Sequence, residues 1–370
     1  MNILILNPIL FTSTDSVLPK VKTIKDTMIY GMCLGFKQLG HNVTLVAMDD
    51  YRPTEKETYE FNVLFMKSIG TRYLSYALPL SIEMWHWMRN HSKEYDMVLS
   101  SEVFSFHSLF ASLICPKKTI IWQELTAHQH KLHELPSKFW HNVVCRAFMH
   151  KVRTVVPRSD KSQAFIKKYM PRVSKTIVDH GINVEKFQYD RVKRKQIISS
   201  SQLIYRKNVD GIIRKFASFH KIKGYEDIQL LIAGRGEEED NLHIIVNQLG
   251  IKDNVTFLGF LPQKKLNEYI RTSLCFLVNT RQDLNMVSIP ESIVSGTPIL
   301  TNCVPASAGY ISREKLGIAK NEWNEADIKE IVDNNAFFVD NCIMYRNNLT
   351  SKHAAQVLIN IFNDANTFIK

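Results

Sequence analysis

The stretch CFLVNTRQDLNMVSIPESIVSGTPILTNC, residues 275 to 303, sets two carboxylates eight positions apart, Asp283 and Glu291. It reads as strand, loop, short helix and strand. CFLV is a β-rich apolar run, NTRQDLN has loop chemistry, Pro290 suits a first helical position, and Gly296 with Pro298 stops the helix before ILTN. In a parallel α/β sheet, the loop after a strand and the helix N-terminus behind it border a crevice that takes ligands, and the uncapped N–H groups attract phosphate. A carboxylate aimed there only accepts hydrogen bonds, which suits sugar or ribose hydroxyls. The structural alternative is that Glu291 complements the helix dipole and Asp283 is a solvated loop residue.

The elements around this unit alternate strand and helix through both halves of the chain. NILILNP is a buried strand, a helical pattern runs from about Thr23 to Leu39, and NVTLVAM is the next strand. This opening lacks a G-x-G-x-x-G loop, so it does not support a dinucleotide site. FNVLFM and YDMVLSS are further strands, separated by an aromatic-rich helix over 73 to 93 that breaks near Pro79, and KKTIIWQE follows. TVVPRSD is another strand, with Ser159 capping the helix behind it. In the second half, Gly234 and Gly236 permit a tight turn after IQLLIA, and Gly259 with Phe260 forms a turn after NVTFL.

Two clusters invite metal readings, and both fall short. Asp49 and Asp50 end a strand but have no further acidic ligands beside them. His128, His130 and His133 lack the spacing of a helical or loop zinc site and have no cysteine partner. No resident metal or cofactor is expected. The six cysteines, at 33, 115, 145, 275, 303 and 342, form no metal or redox spacing and read as reduced thiols of a cytosolic protein.

At 370 residues the chain exceeds what one core usually holds, so two domains are expected. It has no apolar run long enough to span a bilayer, and its start reads as a strand and not an export signal. The formal charge of +11 points to an anionic partner: an activated nucleotide substrate, a lipid surface or nucleic acid. From Ser137 to Arg153, bulky apolar residues alternate with Lys138, His141, Arg146, Lys151 and Arg153. That pattern suits a helix lying on an anionic membrane, or an ordinary amphipathic helix packed on the core.

The 283 to 298 stretch resembles the signature of retaining glycosyltransferases of the GT-B fold, family 4, in which two acids eight apart precede a small-Gly-Thr-Pro turn. Here Asp283 stands for the first glutamate, and Leu284, Asn285 and Met286 replace a Gly-Phe-Gly. HGINVEKF, residues 180 to 187, resembles the hinge motif of the same family, and the charged linker YDRVKRKQ follows it. The resemblance implies an α/β GT-B fold, two doubly wound Rossmann-like domains facing across a cleft. Residues 1–182 would bind the acceptor and 183–351 the nucleotide sugar, with a terminal helix over 352–370 crossing back to the first domain.

It also implies roles. Lys207 keeps the place of a diphosphate-gripping lysine; the usual arginine is lost to Gln202, and Arg206 can restore its charge. Backbone at Gly259 and Phe260 would meet the base, Glu291 the ribose and Asp283 the sugar ring, with the amides of Asn285, Met286 and Val287 on the diphosphate. Relatives carry two glycines where Thr23 and Ile24 stand, with Lys22 and Lys25 beside them. They also carry a histidine contacting the donor sugar after the KKTIIWQE strand, where Gln123, Glu124 or the more distant His128 would serve.

The expected activity is hexosyl transfer with retention from a nucleotide-diphosphate sugar, a UDP-sugar foremost, to a saccharide hydroxyl in surface or capsular polysaccharide synthesis. The nucleotide sugar is a substrate, not a cofactor, and no protein nucleophile is required. The acceptor is soluble or polyprenyl-linked. In the latter case the protein is peripheral on the inner face of the plasma membrane. Nucleic acid is not an expected partner. The rival readings are an epimerase or inverting transferase of the same fold, and a non-catalytic nucleotide-sugar-binding protein.

Overall fold

The computed structural model describes residues 1–10, 21–69, 78–129, 134–282 and 286–364. The chain divides into two compact units, Met1–Gly181 with Thr350–Lys370, and Ile182–Leu349.

The first unit begins with β1 (Asn2–Leu6), α1 (Met28–Gln38), β2 (Asn42–Met48), β3 (Asn62–Met66), α2 (Ile82–His91), β4 (Met97–Ser101), α3 (Phe106–Ile114) and β5 (Thr119–Gln123). Next come α4 (Leu135–Phe139), running on as a π-helical segment over Trp140–Met149, then β6 (Thr154–Pro157) and α5 (Asp160–Ile166). Its strands are all parallel, in the order β3-β2-β1-β4-β5-β6. Helices cover both faces of such a sheet, so its strands are apolar without alternation, and Ile3 to Leu6 are wholly buried.

The second unit holds β7 (Gln196–Ser200), α6 (Val209–His220), β8 (Gln229–Ala233), α7 (Glu239–Gln248), β9 (Val255–Gly259), α8 (Gln263–Arg271) and β10 (Phe276–Leu277). It continues through α9 (Ser288–Val294), β11 (Ile299–Thr301), α10 (Ala308–Arg313), β12 (Gly317–Ala319), α11 (Glu325–Asp333) and α12 (Asn335–Tyr345). The order β12-β11-β10-β7-β8-β9 is again wholly parallel, and strand succession reverses between β7 and β10. Chains leaving these two strands diverge to opposite faces of the sheet, which opens a crevice at their C-terminal ends.

The last helix, α13 (Ser351–Asn363), belongs to the first unit and packs on α1. Two glycines let its start approach closely. A Cβ on Gly35 would lie 2.3 Å from the Ser351 carbonyl oxygen, and one on Gly181 would lie 2.2 Å from the Ser351 nitrogen.

Two boundaries differ from expectation. The first helix begins at Met28 rather than Thr23, because Thr27 caps it by accepting the Tyr30 N–H, while the Thr23 hydroxyl accepts the Lys25 N–H in a turn of its own. Of the aromatic-rich 73 to 93 stretch, residues 73–77 lie outside the described part, and a helix runs from Ile82 behind the Ser81 cap. Among the described residues, no helix is long and apolar enough to cross a membrane.

Candidate active site

The turn after β7 and the loop after β10 form one hydrogen-bonded structure at the reversal point of the second sheet. Tyr205–Lys207 make a single 3₁₀ turn, and Asn208, in the left-handed region at φ 54°, hands the chain to α6. Arg281 donates its backbone N–H to the Arg206 carbonyl at 2.8 Å, and the Thr280 hydroxyl donates to the same oxygen at 3.0 Å. The Arg281 guanidinium lies 4.1 Å over the Tyr205 ring, bonds the Tyr205 carbonyl and pairs with Asp210 at 3.4 Å. Asn302, just past β11, donates to the Thr280 carbonyl at 2.6 Å and anchors the loop from its other side.

Lys207 therefore sits on a braced turn. Burial, and then the neighbouring Arg206 charge, pull its ammonium down to about 8. Both causes disfavour the charged form, and an incoming anion would offset them.

Asp283, Leu284 and Asn285 lie outside the described residues. The chain resumes at Met286, whose carbonyl accepts the Ile289 N–H at 3.1 Å, and the Val287 carbonyl accepts the Glu291 N–H at 3.2 Å. Because α9 starts at Ser288, Pro290 is its third residue and not its first, a place where the missing N–H still costs no helical bond. The helix closes with Gly296 at φ +71°, its N–H on the Ile293 carbonyl and the Thr297 N–H on Ser292, a paired C-terminal cap. Glu291, in the first turn, accepts a hydrogen bond from the Gln263 amide at 2.8 Å. That bond joins the start of α8 to the start of α9.

On the far side of β7, the loops after β8 and β9 approach each other. Gly234 and Gly236 serve close packing as much as turning: a Cβ on either would fall 1.8 Å from the Ser201 oxygen or 2.2 Å from the Leu203 oxygen. Gly259 ends β9 at φ +63° and accepts the Gly234 N–H, Arg235 lies beside it, and Phe260 is 73% exposed.

The first unit gathers a different set at its own sheet edge. Gln123 is wholly buried, its carbonyl accepting the Val103 N–H at 2.9 Å and its amide donating to the Leu125 carbonyl at 3.1 Å, so it staples two loops. Glu124 carries a salt bridge to Arg158, while its backbone N–H donates to Glu102 at 2.6 Å. Arg158 also meets Asp179 at 3.3 Å and His180 at 2.7 Å, and stacks 4.8 Å over Trp122. Burial opposes ionisation of Asp179, yet His180 and Arg158 hold its carboxyl well below the usual range. His128 contacts Ser137 and Tyr169 and packs against His141 and Phe165. His130 and His133 lie outside the described residues, and among those described no acid, His or Cys group is arranged to hold a metal.

Three participants escaped sequence reasoning. Arg281 lies inside the signature stretch, where its neighbour Asp283 drew attention instead. Gln263 reaches Glu291 from another helix, a proximity no local pattern encodes. Glu102 stands at φ +61°, unusual for a residue with a side chain, just past the end of β4 with nothing in its spacing to mark it.

Residues 182–335 match the family model of glycosyl transferases group 1. An alpha-monoglucosyldiacylglycerol synthase of Streptococcus pneumoniae is 24% identical over 188 residues, 46% of this chain and 42% of that protein, so the match spans less than half of the relative's length. Sucrose-phosphate synthase from Thermosynechococcus elongatus superposes with a TM-score of 0.61 at 13% identity, covering 97% of each chain. Anabaena HepE in complex with UDP and glucose gives a TM-score of 0.60 at 12% identity, over 97% of this chain and 98% of that one. The two parallel six-stranded sheets of this chain thus form a GT-B fold, and most of its second unit matches glycosyl transferases group 1.

Proposed function

We propose that this chain is a retaining glycosyltransferase that moves a hexose-type sugar from a UDP-sugar to a saccharide hydroxyl in surface or capsular polysaccharide synthesis. The observation that carries the reading is the braced Lys207 turn bonded to the loop before Glu291, at the point of the sheet where a diphosphate is best received.

Lys207 and Arg206 meet the diphosphate, together with backbone N–H groups of Asn285, Met286 and Val287. Glu291, oriented by Gln263, accepts the ribose hydroxyls, and Asp283 holds the sugar ring. Backbone at Gly259 and Phe260 borders the base. These charges neutralise the leaving group without a metal ion. The anomeric C–O bond to the diphosphate breaks, the acceptor oxygen bonds the same face, and its proton passes to a leaving-phosphate oxygen. No protein nucleophile takes part. In the first unit, the Glu124 carboxylate supplies a hydrogen-bond acceptor for an incoming hydroxyl. The Streptococcus relative is named for a diacylglycerol glycolipid, which supports a lipid-borne acceptor, such as a polyprenyl-linked saccharide, met on the inner face of the plasma membrane.

A thermal-shift panel of UDP, GDP, ADP and dTDP sugars tests the donor, since a ligand that binds only the folded chain raises its midpoint. UDP-sugars are expected to give the largest rise. No rise with any nucleotide overturns the reading. Hydrolysis of the donor without acceptor, lost in Glu291→Ala and kept in the surface variant Phe337→Ser, separates an enzyme from a binding protein. Anomeric configuration of the product separates retention from inversion.

A further inference from the structure

The π-helical segment after α4 presents an apolar ridge to solvent. Its inner side is set by Ser137, Trp140, His141, Cys145 and Met149, all buried, with the Trp140 indole donating to the Val103 carbonyl at 2.9 Å. On the outer side Leu135 is 67% exposed, Phe139 61%, Val143 46% and Phe148 51%. In a regular α-helix, Phe148 would point well away from the other three. The wider i to i+5 turn over Trp140–Met149 shifts the phase of the residues it carries, and Phe148 is exposed along with the other three. A sequence that leaves two phenylalanines, a leucine and a valine in water along one line has put them where something apolar can cover them.

The charges beside the ridge say what that is. No Asp or Glu occurs from Leu135 to Arg153. Lys138, Arg146 and Lys151 are exposed, and Glu134, at the very start, is paired with Lys138 at 3.1 Å. Exposed bulky apolar side chains interleaved in the sequence with exposed cations match the boundary between acyl chains and anionic headgroups, where the apolar residues sink and the cations stay among phosphates.

We propose that this ridge docks the first unit onto an anionic lipid bilayer, with Phe139 and Phe148 inserted below the headgroups and Lys138, Arg146 and Lys151 on the lipid phosphates. The proposal rests on the transferase reading only for its purpose, which is to bring the chain to a lipid-borne acceptor. The surface stands on its own geometry.

The test is co-sedimentation of the full chain, without donor, on vesicles of phosphatidylcholine with about 30% phosphatidylglycerol, against vesicles of phosphatidylcholine alone. Binding is expected only to the anionic vesicles and should fall at least about tenfold between low salt and 0.5 M salt. Phe139→Ser with Phe148→Ser should weaken it about tenfold or more at every salt concentration. Lys138→Gln with Arg146→Gln should weaken it chiefly at low salt, and Phe337→Ser on α12 should leave it unchanged. No binding of the wild type to anionic vesicles at low salt overturns the proposal. So does a wild-type dimer that the phenylalanine pair converts to monomer, which would make a second copy the occupant. Neither outcome bears on nucleotide stabilisation, so a failure here is distinct from a failure of the transferase reading.

Discussion

The Gln263 amide donates to the Glu291 carboxylate at 2.8 Å, tying the first residue of α8 to the first turn of α9. A hydrogen bond to a charged acceptor contributes about 1.5–3 kcal/mol. Glu291→Ala is therefore expected to weaken donor binding about 10- to 100-fold. Gln263→Ala leaves the carboxylate in place but less oriented and should raise the donor KM severalfold with a smaller change in kcat. Equal losses in the two variants, all of them in kcat, would remove Gln263 from an orienting role. Steady-state kinetics of donor hydrolysis decides it.

Lys207 gives a pH dependence of known sign. Burial and Arg206 lower its ammonium from 10.5 to about 8, so above pH 8 the free chain offers a neutral amine to the diphosphate. UDP affinity, measured by titration calorimetry, should fall as pH rises from 7.5 to about 9.5, with proton uptake on binding in that window. Lys207→Met should bind more weakly and show a flatter profile. Since the unfolded chain holds this proton up to about 10.5 and the folded one only to about 8, the same group makes unfolding free energy rise with pH between those values.

Glu102 runs the other way. Burial first, and then the Glu124 carboxylate, push its carboxyl up to about 7, against the two backbone N–H groups of Glu124 and Leu125 that it accepts. Its folded value lies above its unfolded value of 4.5, so stability present below 4.5 is lost as pH rises through 7. Glu102→Gln cannot ionise. It is expected to lose less stability than the wild type between pH 5 and pH 8, by about 1–3 kcal/mol in urea titrations. Parallel profiles for the two proteins would show that the carboxyl does not titrate in this range.

The α1 and α13 contact predicts a graded pair. In Gly35→Ala the new methyl meets the Ser351 backbone at 2.3 Å, and the helix start must move, at a cost of about 1–3 kcal/mol. In Gly31→Ala it meets only the Ser351 hydroxyl, at 3.2 Å, and a rotamer change relieves it. Thermal unfolding should show a clear drop for the first and little for the second. The reverse order would mean that α13 does not lie against α1 as described.

Much of the proposed donor site can be read along the chain because its parts are local. Asp283 and Glu291 are eight positions apart in the sequence, Lys207 follows one strand, and Gly296 ends one helix with a left-handed residue; each is a statement about a few consecutive residues. Apolar strands without alternation likewise announce a parallel sheet covered on both faces. What the chain could not announce depends on which strands become neighbours. Only the reversal between β7 and β10 brings Arg281 onto the Arg206 carbonyl, and only the meeting of α8 with α9 sets Gln263 on Glu291. The same holds in the first unit. Gln123 looked available for a sugar until the fold occupied both ends of its amide, and the exposure of Leu135, Phe139, Val143 and Phe148 is fixed by which side of their helix the core covers. Local sequence sets backbone preference and side-chain chemistry, whereas the partner of each polar atom and the phase of each exposed side chain are settled by contacts between residues far apart in the chain.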